Sequence, residues 1–129
     1  MKLRNILFLL MGFASLSVAQ PNPTTANNNA NEFAEQAGVI AGTAQACGQD
    51  VSLMSSRTAE VINVLTKNST EQQQAMTIYV KIMTGSQINQ SRNHTMKCAD
   101  VLKAYNSLPI LRSDYKETVL PGMAKMGTP

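Results

Sequence analysis

Cys47, His94 and Cys98 are the residues whose types and spacing come nearest to a metal site. His94 and Cys98 stand four apart and would share one helical face, so with Cys47 alongside they offer two thiolates and an imidazole to a soft cation. The same two cysteines have a competing use. A disulfide between them removes both thiolates and leaves His94 as a capping or surface residue, and this is the reading adopted: a Cys47–Cys98 bridge, no metal and no cofactor. Met123 and Met126, three apart, with Met76, Met83 and Met96 elsewhere, have the softness for copper(I), although filling irregular core space is the commoner use of Met. Hydrolysis needs a nucleophile with a base, or two carboxylates held together, whereas this chain has one His and eight scattered acids. Asp50, Asp100 and Asp114 fall at expected helix starts, where capping and the helix dipole already call for a carboxylate. The chain therefore reads as a non-enzyme.

The elements that would position these residues read as helices throughout. Phe33, Ala37, Ile40, Ala44 and Cys47 recur at spacings of four and three, and Gly48 supplies a stop. Asp50 or Ser52 caps a second helix with the stripe Met54, Thr58, Val61 and Leu65, ending near Asn68. Ser69 with Gln72, or Thr70 with Gln73, forms a capping box opening a third helix, in which Ala75, Met76, Ile78, Tyr79, Val80, Ile82 and Met83 leave only a narrow polar stripe of Gln74, Thr77, Lys81 and Thr84. A helix so apolar is expected at the centre of a bundle. Gly85-Ser86 loosens it, and residues 85–95 read as a polar tail or connection. Asn93 or Thr95 caps a fourth helix with Cys98, Val101, Leu102 and Tyr105 inward, and Leu111, Tyr115 and Val119 suggest a short fifth. The expected fold is all-α: a small up-down bundle of four main helices, with a possible short C-terminal helix and one disulfide.

Flanking segments set the compartment. Lys2 and Arg4, the apolar stretch from Ile6 to Ala14 and Ser17-Val18-Ala19 have the layout of an export signal cleaved after Ala19, and the apolar run is too short to span a membrane. Residues 20–31, QPNPTTANNNAN, lack large apolar side chains and read as a disordered tether. The bundle domain is then 32–120, and Pro121-Gly122 opens a flexible tail over 121–129. Removal of the signal takes Lys2 and Arg4 and leaves nine basic against eight acidic residues, so a phosphate-tracking nucleic-acid surface is excluded. Three glycan-acceptor patterns, at Asn68, Asn89 and Asn93, are what an Asn-rich chain gives by chance. The implied location is the periplasm or the bacterial exterior, without stable membrane insertion.

Topology and spacing agree at the cysteines. In an up-down-up-down bundle the end of helix 1 and the start of helix 4 lie at one pole, which is where Cys47 and Cys98 fall. Such a bridge closes a loop of about 50 residues and contributes about 4 kcal/mol in the chain-entropy model, comparable with the net stability of a small domain. Beside the first stripe, Ala34, Gly38 and Gly42 repeat every four residues, and small residues at that spacing let a second helix approach closely. That approach is either within the monomer, against helix 3 or 4, or to a partner helix or second copy. The expected partner surface combines Ala34, Gly38 and Gly42 with Gln87, Gln90 and Arg92 of the polar connection, and a homodimer is one possible use of it.

Gln45-Ala46-Cys47-Gly48-Gln49-Asp50 and Cys98-Ala99-Asp100-Val101-Leu102 resemble the two cysteine surroundings of the HdeA-type acid-stress chaperones of the enteric periplasm, with the two motifs in the opposite order along the chain. The resemblance implies a helical, exported, singly bridged protein that opens in acid and binds unfolded clients. The overall design is also similar to the small exported helical proteins that serve bacterial secretion and conjugation systems. The leading expectation is an accessory or inhibitory, immunity-like protein binding another envelope or secreted protein. An acid-stress chaperone is the alternative, and a copper-binding protein ranks behind both.

Overall fold

The computed structural model describes residues 28–127, which form helices joined by short turns, with no strand among the described residues. Helix α1 spans Asn28–Ala46, α2 Ser52–Leu65, α3 Ser69–Asn93 and α4 Cys98–Asn106. A 3₁₀ turn at Pro109–Leu111 leads to a short α5, Tyr115–Thr118, and α6, Leu120–Gly127. The architecture is the small all-α bundle with one disulfide that the spacing predicts. The expected export signal and residues 20–27 of the expected tether lie outside the described residues. No helix of the described residues is long and apolar enough to cross a membrane.

Two boundaries differ from expectation. Helix α1 opens at Asn28, so residues 28–31 of the expected tether are helical, because Ala30 is fully buried and starts the core stripe one turn before Phe33. At the other end, residues 120–127 form α6 instead of a flexible tail. Pro121 stands at its second position, where a missing N–H costs nothing, and Met123 is fully buried.

The central helix is α1, not α3. Phe33, Ala34, Ala37, Ile40, Ala41 and Ala44 are all buried, and so are the polar Glu35, Gln36 and Thr43. Because α1 is built largely of Ala and Gly, neighbours press on it from several sides: α3 along its length, α2 behind, and α4 at its C-terminal pole. In α3 only Ala75, Tyr79 and Gln90 are buried, since no other element lies over its far side. The α2 stripe of Met54, Thr58, Val61, Ile62 and Leu65 is buried, and α6 covers part of that helix.

Local caps differ in register from the simplest sequence reading. Helix α3 is capped by Asn68, whose Oδ1 accepts from the Glu71 N–H at 2.9 Å, while Glu71 Oε1 accepts from the Lys67 N–H at 2.9 Å. Asn accepts as well as Ser or Thr at this position, so the reciprocal arrangement forms one residue earlier than Ser69. The helix runs unbroken through Gly85 to Asn93. Asp50 Oδ1 accepts from both the N–H and the hydroxyl of Ser52 and opens α2. On the far side, Arg57 lies 4.3 Å over the Tyr115 ring and donates to the carbonyls of Ile110 and Arg112, which ties the C-terminal elements to α2.

Candidate protein-docking surface

At one pole the Cys47–Cys98 disulfide joins the end of α1 to the start of α4, with the two Cα atoms 5.4 Å apart. Gln90, only 2% exposed, organises the turn beside it. Its Nε2 donates to the Met96 carbonyl at 2.8 Å and approaches Cys47 Sγ at 3.8 Å. Its Oε1 accepts from the Thr95 hydroxyl at 3.0 Å and from the Met96 N–H at 3.3 Å. Thr95 thus serves Gln90 instead of capping α4, whose N-cap, Lys97, makes no side-chain bond. His94 closes α3 in a left-handed conformation, φ 47°, and its N–H donates to the Gln90 carbonyl at 2.9 Å. With both sulfurs bonded to each other, the Cys47, His94 and Cys98 set holds no thiolate, and no group of three His, Cys, Asp or Glu among the described residues is arranged to hold a metal.

Along the bundle, α1 and α3 run parallel with their backbones nearly touching. A Cβ at Gly38 would stand 2.9 Å from both the Tyr79 carbonyl oxygen and Ile82 Cβ. One at Gly42 would overlap the Met83 carbonyl oxygen and stand 2.9 Å from Gln87 N. The small-residue face is therefore consumed inside the monomer. Of the six residues assigned to a partner surface, Ala34, Gly38, Gly42 and Gln90 are buried, Gln87 is half-buried and only Arg92 is exposed. This corrects the sequence expectation for four of the six. The reason is that close packing satisfies small residues equally well whether the second helix belongs to the same chain or to another.

The uncovered surface is the far side of α3. Val80 is 50% and Ile88 46% exposed, two turns apart on one face with Thr77, Lys81 and Thr84. Met76, Thr77, Val80 and Lys81 line an open dent of about 410 Å³ on this face. Sequence reasoning missed it because an apolar helix was assigned to the centre. The available signal was the narrow stripe containing Thr77, Lys81 and Thr84, which marks the outward direction; Ile88 continues that stripe one turn on and Val80 lies beside it.

The remaining polar features support structure more than chemistry. A second open groove of about 560 Å³ is lined by Asn31, Thr70, Gln73, Gln74, Thr77 and Ile78, all neutral side chains. Glu35 is buried with Oε1 unpartnered, and desolvation together with the charge of Glu32 holds its carboxyl above the ordinary range. Asp50 and Asp114 are held below that range by hydrogen bonds from Ser52 and Arg112 respectively. Burial, with Tyr79 and Asp50 nearby, pushes the Tyr105 hydroxyl up to about 12. Met123, proposed above as one half of a copper(I) pair, is buried in the core, and the side chain of Met126 lies outside the described residues. No family model, curated protein or solved structure matches the chain.

Proposed function

We propose that this chain is an exported, non-enzymatic protein-binding bundle of the bacterial envelope, an accessory or inhibitory component of a secretion or conjugation system. The observation that carries the binding part is the outer face of α3, where Val80 and Ile88 lie about half in water beside the Met76 dent. Large aliphatic side chains at helical spacing on an uncovered face are the chemistry of a helix-docking surface. Export is supported by the signal-like run from Lys2 to Ala19, and a disulfide suits an oxidising compartment. The dispersed charges and the neutral groove offer neither an acid–base pair nor a phosphate cradle.

A photo-cross-linking amino acid at position 88, introduced in the producing cell, tests this reading. The expected result is one discrete adduct whose component is identified by mass, and which is lost when the probe is moved to Glu60 on the exposed side of α2. No discrete adduct from position 88, or the same adducts from both positions, overturns it.

A further inference from the structure

We infer that the Cys47–Cys98 bond is an exchange site for an external dithiol, which attacks at Cys98 and drives out the Cys47 thiolate. The two halves of the bridge have unlike surroundings. Cys98 is exposed at the first position of α4, whereas Cys47 is half-buried against the core at the end of α1. Thiol–disulfide exchange is an in-line displacement, so the attacking thiolate must reach one sulfur on the side away from the other. Exposure opens that approach at Cys98 and packing restricts it at Cys47.

Each sulfur also has a setting that suits it as a leaving group. When an external thiolate bonds to Cys98 Sγ, the Cys47–Cys98 bond breaks and its electron pair passes to Cys47 Sγ, 3.8 Å from Gln90 Nε2. That amide is fixed by its bond to the Met96 carbonyl, and its second hydrogen is the donor a developing thiolate needs. The second thiolate of the dithiol then attacks its own sulfur in the mixed disulfide, and Cys98 leaves as a thiolate at the start of α4. A helix N-terminus favours that charge, and the N-cap residue Lys97 makes no side-chain bond to the first N–H groups. Lys97 and Asp100, on either side of Cys98 in this turn, offset each other in charge. The dithiol ends as a disulfide and the chain as two thiols, with no other reductant, and an external disulfide reverses both steps. Helix α4 packs chiefly on α1, so opening the bond releases the start of α4 from its covalent anchor.

Reduced glutathione, a monothiol that stops at the first step, tests this on the oxidised wild-type chain. Samples are quenched in acid at early times, free thiols are blocked, and the mixed disulfide is located by peptide mass spectrometry. In the folded state the adduct is expected chiefly on Cys98, and the bias should vanish in urea, where the fold no longer sets access. Attack on the folded chain should be slower than on the urea-unfolded chain by no more than about tenfold, as befits an accessible bond. Equal adducts on the folded chain, an excess on Cys47, the same bias with and without urea, or a folded chain protected by more than about tenfold each overturns the inference.

Discussion

Gly42 of α1 lies against the carbonyl oxygen of Met83 in α3, where even one added carbon would strike backbone. Backbone cannot rotate aside as a side chain can, so Gly42→Ala forces the two helices apart along their whole parallel contact. We expect a loss of about 3 kcal/mol for Gly42→Ala, within the usual cost of overpacking, and about 2 kcal/mol for Gly38→Ala, where part of the obstruction is the Ile82 side chain. Gly85→Ala, into open space, should stabilise the chain by about 0.5–1 kcal/mol through helix propensity. Urea unfolding of the three variants checks the order, and a neutral Gly42→Ala would show that the helices are not pressed together as described.

Gln90 is the second structural dependency. Its side chain satisfies the carbonyl and N–H of Met96 in a turn that no regular element supports. Gln90→Ala leaves both groups unpaired beside a cavity, and a loss of about 3 kcal/mol is expected, whereas Arg92→Ala on the exposed side should change stability by no more than about 0.5 kcal/mol. Equal effects from the two substitutions, measured by thermal unfolding, would refute the role given to Gln90.

The disulfide closes a separation of 51 residues. Chain-entropy reasoning puts its contribution at about 4 kcal/mol, against a net stability of about 5–15 kcal/mol for a domain of this kind. The paired substitution Cys47→Ala with Cys98→Ala should therefore lose most of its unfolding cooperativity near 37 °C. Calorimetry showing an unchanged transition would contradict this.

Acid should not open the bundle by way of Glu35. Its carboxyl is raised in the folded state, so folding takes up a proton there, and stability from this group grows as pH falls from neutral through the raised value and is complete below the ordinary 4.5. Asp50 and Asp114 act in the opposite sense, their contribution fading as pH drops through their lowered values, but both are solvent-screened and contribute little. The expected profile is a gain in stability as pH falls through the raised value toward the ordinary 4.5, which Glu35→Gln abolishes by giving the higher stability already at neutral pH. Dye binding that appears near pH 3 with loss of compactness would instead favour the acid-chaperone reading.

Comparison of α1 and α3 shows how far the sequence carried. The stripe from Phe33 to Cys47, the run from Met54 to Leu65 and the apolar third helix were all legible, because a repeat of three to four residues is a local property of the chain. The disulfide was legible too, since Cys47 and Cys98 fall at helix ends that any up-down arrangement brings to one pole. Less was legible at the ends, where Ala30 and Met123 extend the core by single residues that a pattern of larger side chains does not reveal.

The sequence alone thus determined the helices, their order and the covalent tie, each of which depends on residues near one another in the chain or on where helices stop. Tertiary structure decided which helix is enclosed, that Gly38 and Gly42 meet α3 and not another molecule, and that Val80 and Ile88 are left facing water. Burial is a relation between a side chain and its neighbours in space. An Ala- and Gly-rich helix admits neighbours on several sides, while a bulkier apolar helix is covered only where another element reaches it.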